Sequence, residues 1–279
     1  MYLEKVDLYS YFGIKKEEGA KGYLNIYRLD EIFGGRKRPA MLVIAGGGYR
    51  AVSVREKEPI ALAYMARGFN AFTLEYSVTP LHYPTQLLEG CMAIIYIREN
   101  AESLGVDVEH VGAIGFSAGG HLCGMLATLY GEKVIEEVLG ERAKLSRPDA
   151  VVLSYAVLSA YGKIHQGSID NITAGDQELR KKMDLPSVVD ENSVPAFLWC
   201  NYFDKVVPAE SSLLMALSYR EKGVPCELHL YEQGGHGLSL ANEETAPPSM
   251  TATHILQSVQ PWVEASAVWL KNRGFVVKN

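Results

Sequence analysis

Short apolar runs recur along the chain with segments of helical period between them, and this alternation constrains the fold more than any other feature. The runs are "AMLVIA" (40–45), "FNAFTLE" (69–75), "HVGAIGF" (110–116), "DAVVLSY" (149–155), "PAFLWCN" (195–201) and "CELHLYE" (226–232). Helical periods fall around Glu56–Arg67, Thr85–Ser103, Ala118–Tyr130, Glu210–Lys222 and Pro261–Arg273. Strands and helices that alternate in this way bury a mostly parallel sheet under helices on both faces, a three-layer α/β sandwich. The N-terminal part adds short strands such as "YLNIYRL" (23–29). With no internal repeat and no low-complexity linker, one domain over residues 1–279 is expected.

Two segments break the rhythm. Residues 161–192 are longer and more polar than an ordinary crossover, and residues 243–260 carry "TAPPSMTATH", which prolines keep from being helical throughout. Insertions of this kind at the carboxyl edge of a sheet form lids or pocket walls, or else plain surface loops.

A formal net charge of −6 argues against a nucleic-acid groove or an anionic membrane surface, both of which need clustered Lys and Arg. No apolar run reaches the length of a membrane span. The first residues, "MYLEKVDLYSYFGIKKEEGAKGY", show no leader pattern. Cys91, Cys123, Cys200 and Cys226 lie scattered in apolar segments without metal-ligand spacing. They read as reduced core residues of a cytoplasmic protein that holds no metal and whose partner is a small molecule.

The most informative segment is "HVGAIGFSAGGHLCGMLATLY". A strand-like run ends at Gly115-Phe116-Ser117-Ala118-Gly119 and a helix follows, which is G-x-S-x-G in the context it requires. The flanking glycines allow a sharp turn that lifts the Ser117 hydroxyl above the sheet. A hydroxyl is a weak nucleophile, so a base and an orienting acid should follow downstream. His236, in "EQGGHGLSL", stands on a glycine-bounded loop directly after the last strand. His229 lies within that strand and His121 on the elbow helix, both in packing positions, and His82, His110, His165 and His254 have no comparable framing. Asp204, in "NYFDKVVP", follows the preceding strand and can hold the second imidazole N–H, whereas Asp176, Asp184 and Asp190 sit in the irregular insertion. The order Ser117, Asp204, His236 is the one this kind of sheet enzyme uses.

A second glycine cluster, "VIAGGGYRA" (43–51), follows a strand and allows close approach of the backbone to a bound group. Gly46, Gly48 and Ala51 fit G-x-G-x-x-A, with Glu75 ending the next strand like a ribose-binding acid, so a dinucleotide-dependent oxidoreductase is the rival. Against it, "YRAVSVREKEP" delays any helix, so no helix amino end faces the glycines.

Taken together, "RPAMLVIAGGGY", "GFSAGGHL", "FDKVVP" and "GGHGL" resemble the α/β-hydrolase superfamily. Within it the chain is most similar to small hormone-sensitive-lipase-like carboxylesterases, above all acetyl-esterase and acetylxylan-esterase-like proteins. The resemblance implies an eight-stranded sheet, no cofactor or metal, and an oxyanion hole made by the amides of Ala118, Gly47 and Gly48. One departure is Ala45, where relatives often carry His or Pro, so the side chain that braces the glycine loop is missing. The implied substrate is a short-acyl ester, with acetylated sugars the favoured class. Tyr49, Tyr76, Tyr83, Tyr155, Tyr161, Trp199 and Tyr202 fall near strand ends where rings can stack on a sugar. An amidase or peptidase using the same triad is the alternative, and a non-catalytic binding protein on this scaffold a remoter one. The oligomeric state is left open, a homodimer included.

Overall fold

The computed structural model describes residues 2–30 and 34–278, so residues 1, 31–33 and 279 of the expected domain lie outside the described residues. Eight strands form one sheet: β1 (Tyr2–Asp7), β2 (Tyr23–Arg28), β3 (Arg38–Ile44), β4 (Asn70–Glu75), β5 (Val106–Phe116), β6 (Ala150–Ser154), β7 (Ala196–Asn201) and β8 (Cys226–Tyr231). Their spatial order is β1-β2-β4-β3-β5-β6-β7-β8. β2 runs antiparallel to β1 and β4, and every pairing from β4 to β8 is parallel.

The three layers follow from the two-residue period of β3. Ala40, Leu42 and Ile44 pack with Cys91, Ile94, Leu122 and Leu126 of the helices Thr85–Glu99 and Ser117–Thr128. Met41 and Val43 point to the other face, among Ile60 and Tyr64 of Glu58–Met65 and Trp262 and Trp269 of Trp262–Lys271. On that second face Trp199 and Trp262 stack with centroids 4.8 Å apart, and Tyr155 meets Trp199 edge-on at 4.9 Å. Such a column buries large apolar area in geometries aromatic rings favour.

Several boundaries differ from the sequence reading. The first expected helix splits into a 3₁₀ turn, Val54–Glu56, and a helix from Glu58 with Pro59 in its first turn, where a missing N–H costs nothing. Thr85–Ser103 is broken near Asn100 into Thr85–Glu99 and Ala101–Leu104. β8 forms the sheet edge and is only half buried, with Leu230 41% exposed. Segment 161–192 holds the short helices Gln166–Thr173, Gln177–Lys182 and Leu185–Val188, and segment 243–260 a 3₁₀ turn and the one-turn helix Thr251–His254.

Candidate active site

Chain leaves the carboxyl ends of β3, β5, β7 and β8 along one edge of the sheet, the edge at which open α/β sheets place ligands. Ser117 opens its helix with φ at 53°, a left-handed conformation that costs a residue with a Cβ. Its neighbours enforce it. A Cβ on Gly115 would stand 2.2 Å from the Gly119 carbonyl oxygen, and one on Gly119 would stand 2.3 Å from those of Ile44 and Ala45. The helix therefore lies against β3 at a spacing only glycine permits.

Ser117, His236 and Asp204, 119 and 32 residues apart along the chain, come together in series. His236 Nε2 lies 2.8 Å from Ser117 Oγ, and Nδ1 lies 2.7 Å from Asp204 Oδ2. Asp204 Oδ1 accepts the amides of Val206 and Val207 at 2.8 and 2.9 Å, so both oxygens are committed. Because an ionised carboxylate only accepts, Nδ1 carries the proton and Nε2 turns its lone pair to the serine hydroxyl. The Asp204 carboxylate is fully buried, while the imidazole keeps 17% of its surface open toward the cavity. His121 has a different environment. Its Nε2–H donates to the Met183 carbonyl and its Nδ1 accepts from Tyr49, while burial lowers its pKa to about 4. It is a neutral packing residue.

Gly47 and Gly48 hold φ values of 138° and 65°, and among the described residues their N–H groups find no protein acceptor. Ala118 lies in the first turn of its helix, where amides have no intrahelical partner. The glycine loop is not left unbraced by Ala45. Tyr76 Oη donates to the Ala45 carbonyl at 2.8 Å, Gly46 N–H donates to Glu56 Oε2 at 2.8 Å, and Asn171 Nδ2 donates to the Gly48 carbonyl at 2.7 Å. No helix starts at these glycines, and Glu75 is engaged by Lys5 and Lys57.

A cavity of about 260 Å³ opens over Ser117 and His236, lined further by Gly47, Gly48, Arg50, Glu56, His165 and Val206. The sequence reading sets His165 aside, yet segment 161–192 brings it to the cavity wall. There it bonds Ser168 Oγ at 2.7 Å, and burial together with His236 and Arg50 holds its pKa below the usual value. Arg50, Glu56 and Asn171 likewise carry no motif of their own. Arg50 follows the glycines within the same loop, whereas Glu56 and Asn171 reach the site only through a fold-back of the chain, which no spacing reveals. Segment 243–260 contributes no lining residue to this cavity. A larger cavity, about 440 Å³, lies beside Arg38, Asn70 and Gly105 at the amino ends of β3 and β4, away from the glycine loops.

Of the aromatic candidates for sugar stacking, Tyr49, Tyr76, Tyr155 and Trp199 are fully buried and present no face. Tyr161 and Tyr202 are exposed, at 48% and 61%. Among the described residues no group of three or more His, Cys, Asp or Glu is disposed to hold a metal ion, and no helix is long and apolar enough to cross a membrane.

The sequence matches the BD-FAE family over residues 24–218. It is 38% identical over 218 residues to endo-1,4-beta-xylanase B of Butyrivibrio fibrisolvens, covering 75% of this chain and 34% of that protein. The chain spans between about a quarter and two fifths of the length of such curated relatives. Among solved structures, an acetyl ester-xyloside bifunctional hydrolase from Caldicellulosiruptor lactoaceticus superposes with a TM-score of 0.80 at 32% identity, over 91% of this chain and 89% of that one. A carboxylesterase from Lactobacillus plantarum superposes with a TM-score of 0.79 at 26% identity over the whole of both chains.

Proposed function

The chain belongs to the BD-FAE family, among the α/β-hydrolases of the hormone-sensitive-lipase type, and from that premise we propose that it hydrolyses short-acyl carboxylic esters through an acyl-enzyme on Ser117. The observation that carries the proposal is the unbroken chain from Asp204 through His236 to Ser117 Oγ, with each contact at 2.7–2.8 Å.

In the proposed reaction Ser117 Oγ attacks the ester carbonyl while His236 Nε2 takes its proton, and Asp204 stabilises the imidazolium that results. The carbonyl oxygen, now an anion, is received by the amides of Gly47, Gly48 and Ala118. Each such donor is worth about 100- to 1000-fold in rate in comparable sites. As the tetrahedral adduct collapses, His236 gives the proton to the departing alkoxide and the alcohol leaves. Water then adds to the acyl-enzyme with His236 as base, and the carboxylic acid and free Ser117 are regenerated.

Acetyl groups on sugars are the proposed substrate class. Relatives named for acetyl ester-xyloside and acetylxylan hydrolysis support it, and so does a cavity of about 260 Å³, smaller than sites for drug-sized ligands. Its lining is largely glycine and polar side chains, which suits a small acyl group on a polar alcohol.

Ser117→Ala should abolish release of p-nitrophenol from the acetate ester, with the parent's melting temperature retained. A fluorophosphonate probe should label Ser117 alone. Turnover surviving in the Ala variant would refute the proposal. Acetate release from acetylated xylo-oligosaccharides, set against aryl esters of growing acyl length, tests the substrate class.

A further inference from the structure

Three consecutive glycines carry no side chains by which a loop can be anchored, yet an oxyanion hole works only when its donors are already fixed. The side chain that anchors the first of them, Gly46, is Glu56, from the 3₁₀ turn Val54–Glu56. It is 4% exposed and lines the catalytic cavity beside Ser117 and His236. Its Oε2 accepts the Gly46 N–H at 2.8 Å, and its Oε1 accepts the Tyr155 hydroxyl at 2.6 Å. That hydroxyl in turn accepts the N–H of Ser239, three residues beyond His236, at 3.0 Å, and the Tyr155 ring stands edge-on to the His236 imidazole at 5.1 Å.

The neighbouring Arg55 grips the same base loop. Its Nη2 donates to the Gly237 carbonyl at 2.8 Å, its Nε to that of Thr245 at 2.5 Å, and its own carbonyl accepts Ser239 Oγ at 2.7 Å. One short turn thus holds the glycine loop with one residue and the histidine loop with both. Burying an acidic side chain beside a site where negative charge develops is costly, and packing alone would be served as well by an apolar residue. A carboxyl group offers something an apolar residue lacks, two acceptors at a fixed separation that join the two loops.

We infer that Glu56 is the positioning residue of the oxyanion loop, acting through Gly46 to aim the amides of Gly47 and Gly48, with Tyr155 as its link to the His236 loop. The inference rests on the serine-esterase reading above. Glu56→Leu leaves the Gly46 N–H and the Tyr155 hydroxyl without acceptors, whereas Glu56→Gln keeps an oxygen for Gly46.

The experiment compares both variants with the parent on p-nitrophenyl acetate. Rates are taken well below each melting temperature and normalised to the Ser117 titrated by fluorophosphonate. Glu56→Leu should lower kcat about 100-fold, the scale of one lost oxyanion donor, with KM within about threefold. Glu56→Gln should recover about tenfold of that loss. The inhibition constant of an aryl trifluoromethyl ketone, whose hemiketal oxyanion occupies the hole, should rise by the factor that kcat/KM falls. A purely structural role would lower the melting temperature and leave kcat and this constant at parent values, which overturns the inference. Should Glu56→Leu not fold, Tyr155→Phe decides: it keeps the ring and removes the link, and an unchanged kcat overturns the inference. If the parent shows no ester turnover that Ser117→Ala removes, the esterase reading fails instead.

Discussion

Asp204→Asn changes one oxygen for an NH₂ group of nearly the same size, and the structure gives that group two orientations. In the first, the amide oxygen keeps the bonds from Val206 and Val207, now at 2.8 and 2.9 Å, and the NH₂ faces His236 Nδ1. Nδ1 must then accept, the ring proton moves to Nε2, and no lone pair remains for the Ser117 proton. In the second, the oxygen still serves His236, but the NH₂ group confronts two backbone donors. Turning a donor toward the buried Val207 N–H and the partly buried Val206 N–H costs about 1–3 kcal/mol each, so this productive orientation lies about 2–6 kcal/mol higher. At about 1.4 kcal/mol per decade, kcat should fall by a factor between about 30 and 10⁴, with KM little changed. The upper end matches the loss seen when the acid of a serine-protease triad is replaced in this way. The assay is steady-state hydrolysis of p-nitrophenyl acetate at pH 8, with circular dichroism to show that the variant is folded. A folded variant within fivefold of the parent kcat would refute the claim that Asp204 fixes the tautomer of His236.

Two further expectations concern stability. Gly119→Ala puts a Cβ 2.3 Å from the Ile44 and Ala45 carbonyl oxygens, so the elbow helix must move off β3. Urea unfolding should show a loss of about 1–3 kcal/mol, the range for overpacking a tight core, and an unchanged midpoint would contradict the packing described. His121 is held neutral by burial, with its pKa lowered from 6.5 to about 4. Between these values the unfolded chain binds a proton that the folded chain does not, so stability falls as pH drops through this window. The full loss is about 3 kcal/mol, of which about 2 kcal/mol appears between pH 7 and 5. In His121→Gln that portion of the pH dependence should vanish from the urea midpoints, and a slope equal to the parent's would argue against it.

Sequence spacing reaches Ser117 because the elbow is a local device. A positive φ at residue 117 and the contact between Gly115 and Gly119 are fixed within a few residues, so the motif carries its own geometry. Asp204 and His236 are legible for a related reason, since each follows its strand directly and β7 and β8 are parallel neighbours. The sheet was readable from strand-length apolar runs, whose length and period are set by backbone geometry. By contrast, β8 reads as a core strand and forms the edge, because strand order is decided by which faces find partners and not by composition.

The bracing of the glycine loop shows where local reading stops. Ala45 suggests a loop without support, but its support comes from Tyr76, Glu56 and Asn171, which lie 31, 10 and 123 residues from the loop residues they bond. Nothing in "SVREKEP" separates Glu56 from the exposed Glu58 two positions on; only burial does, and burial belongs to the folded chain. The sequence alone determined the fold class and brought the serine, the acid and the histidine into order, because those depend on contacts within a turn or on strand period. Tertiary structure decided what fills the cavity wall and what holds the glycine loop, because a buried hydrogen bond has no local signature until both partners have lost their water.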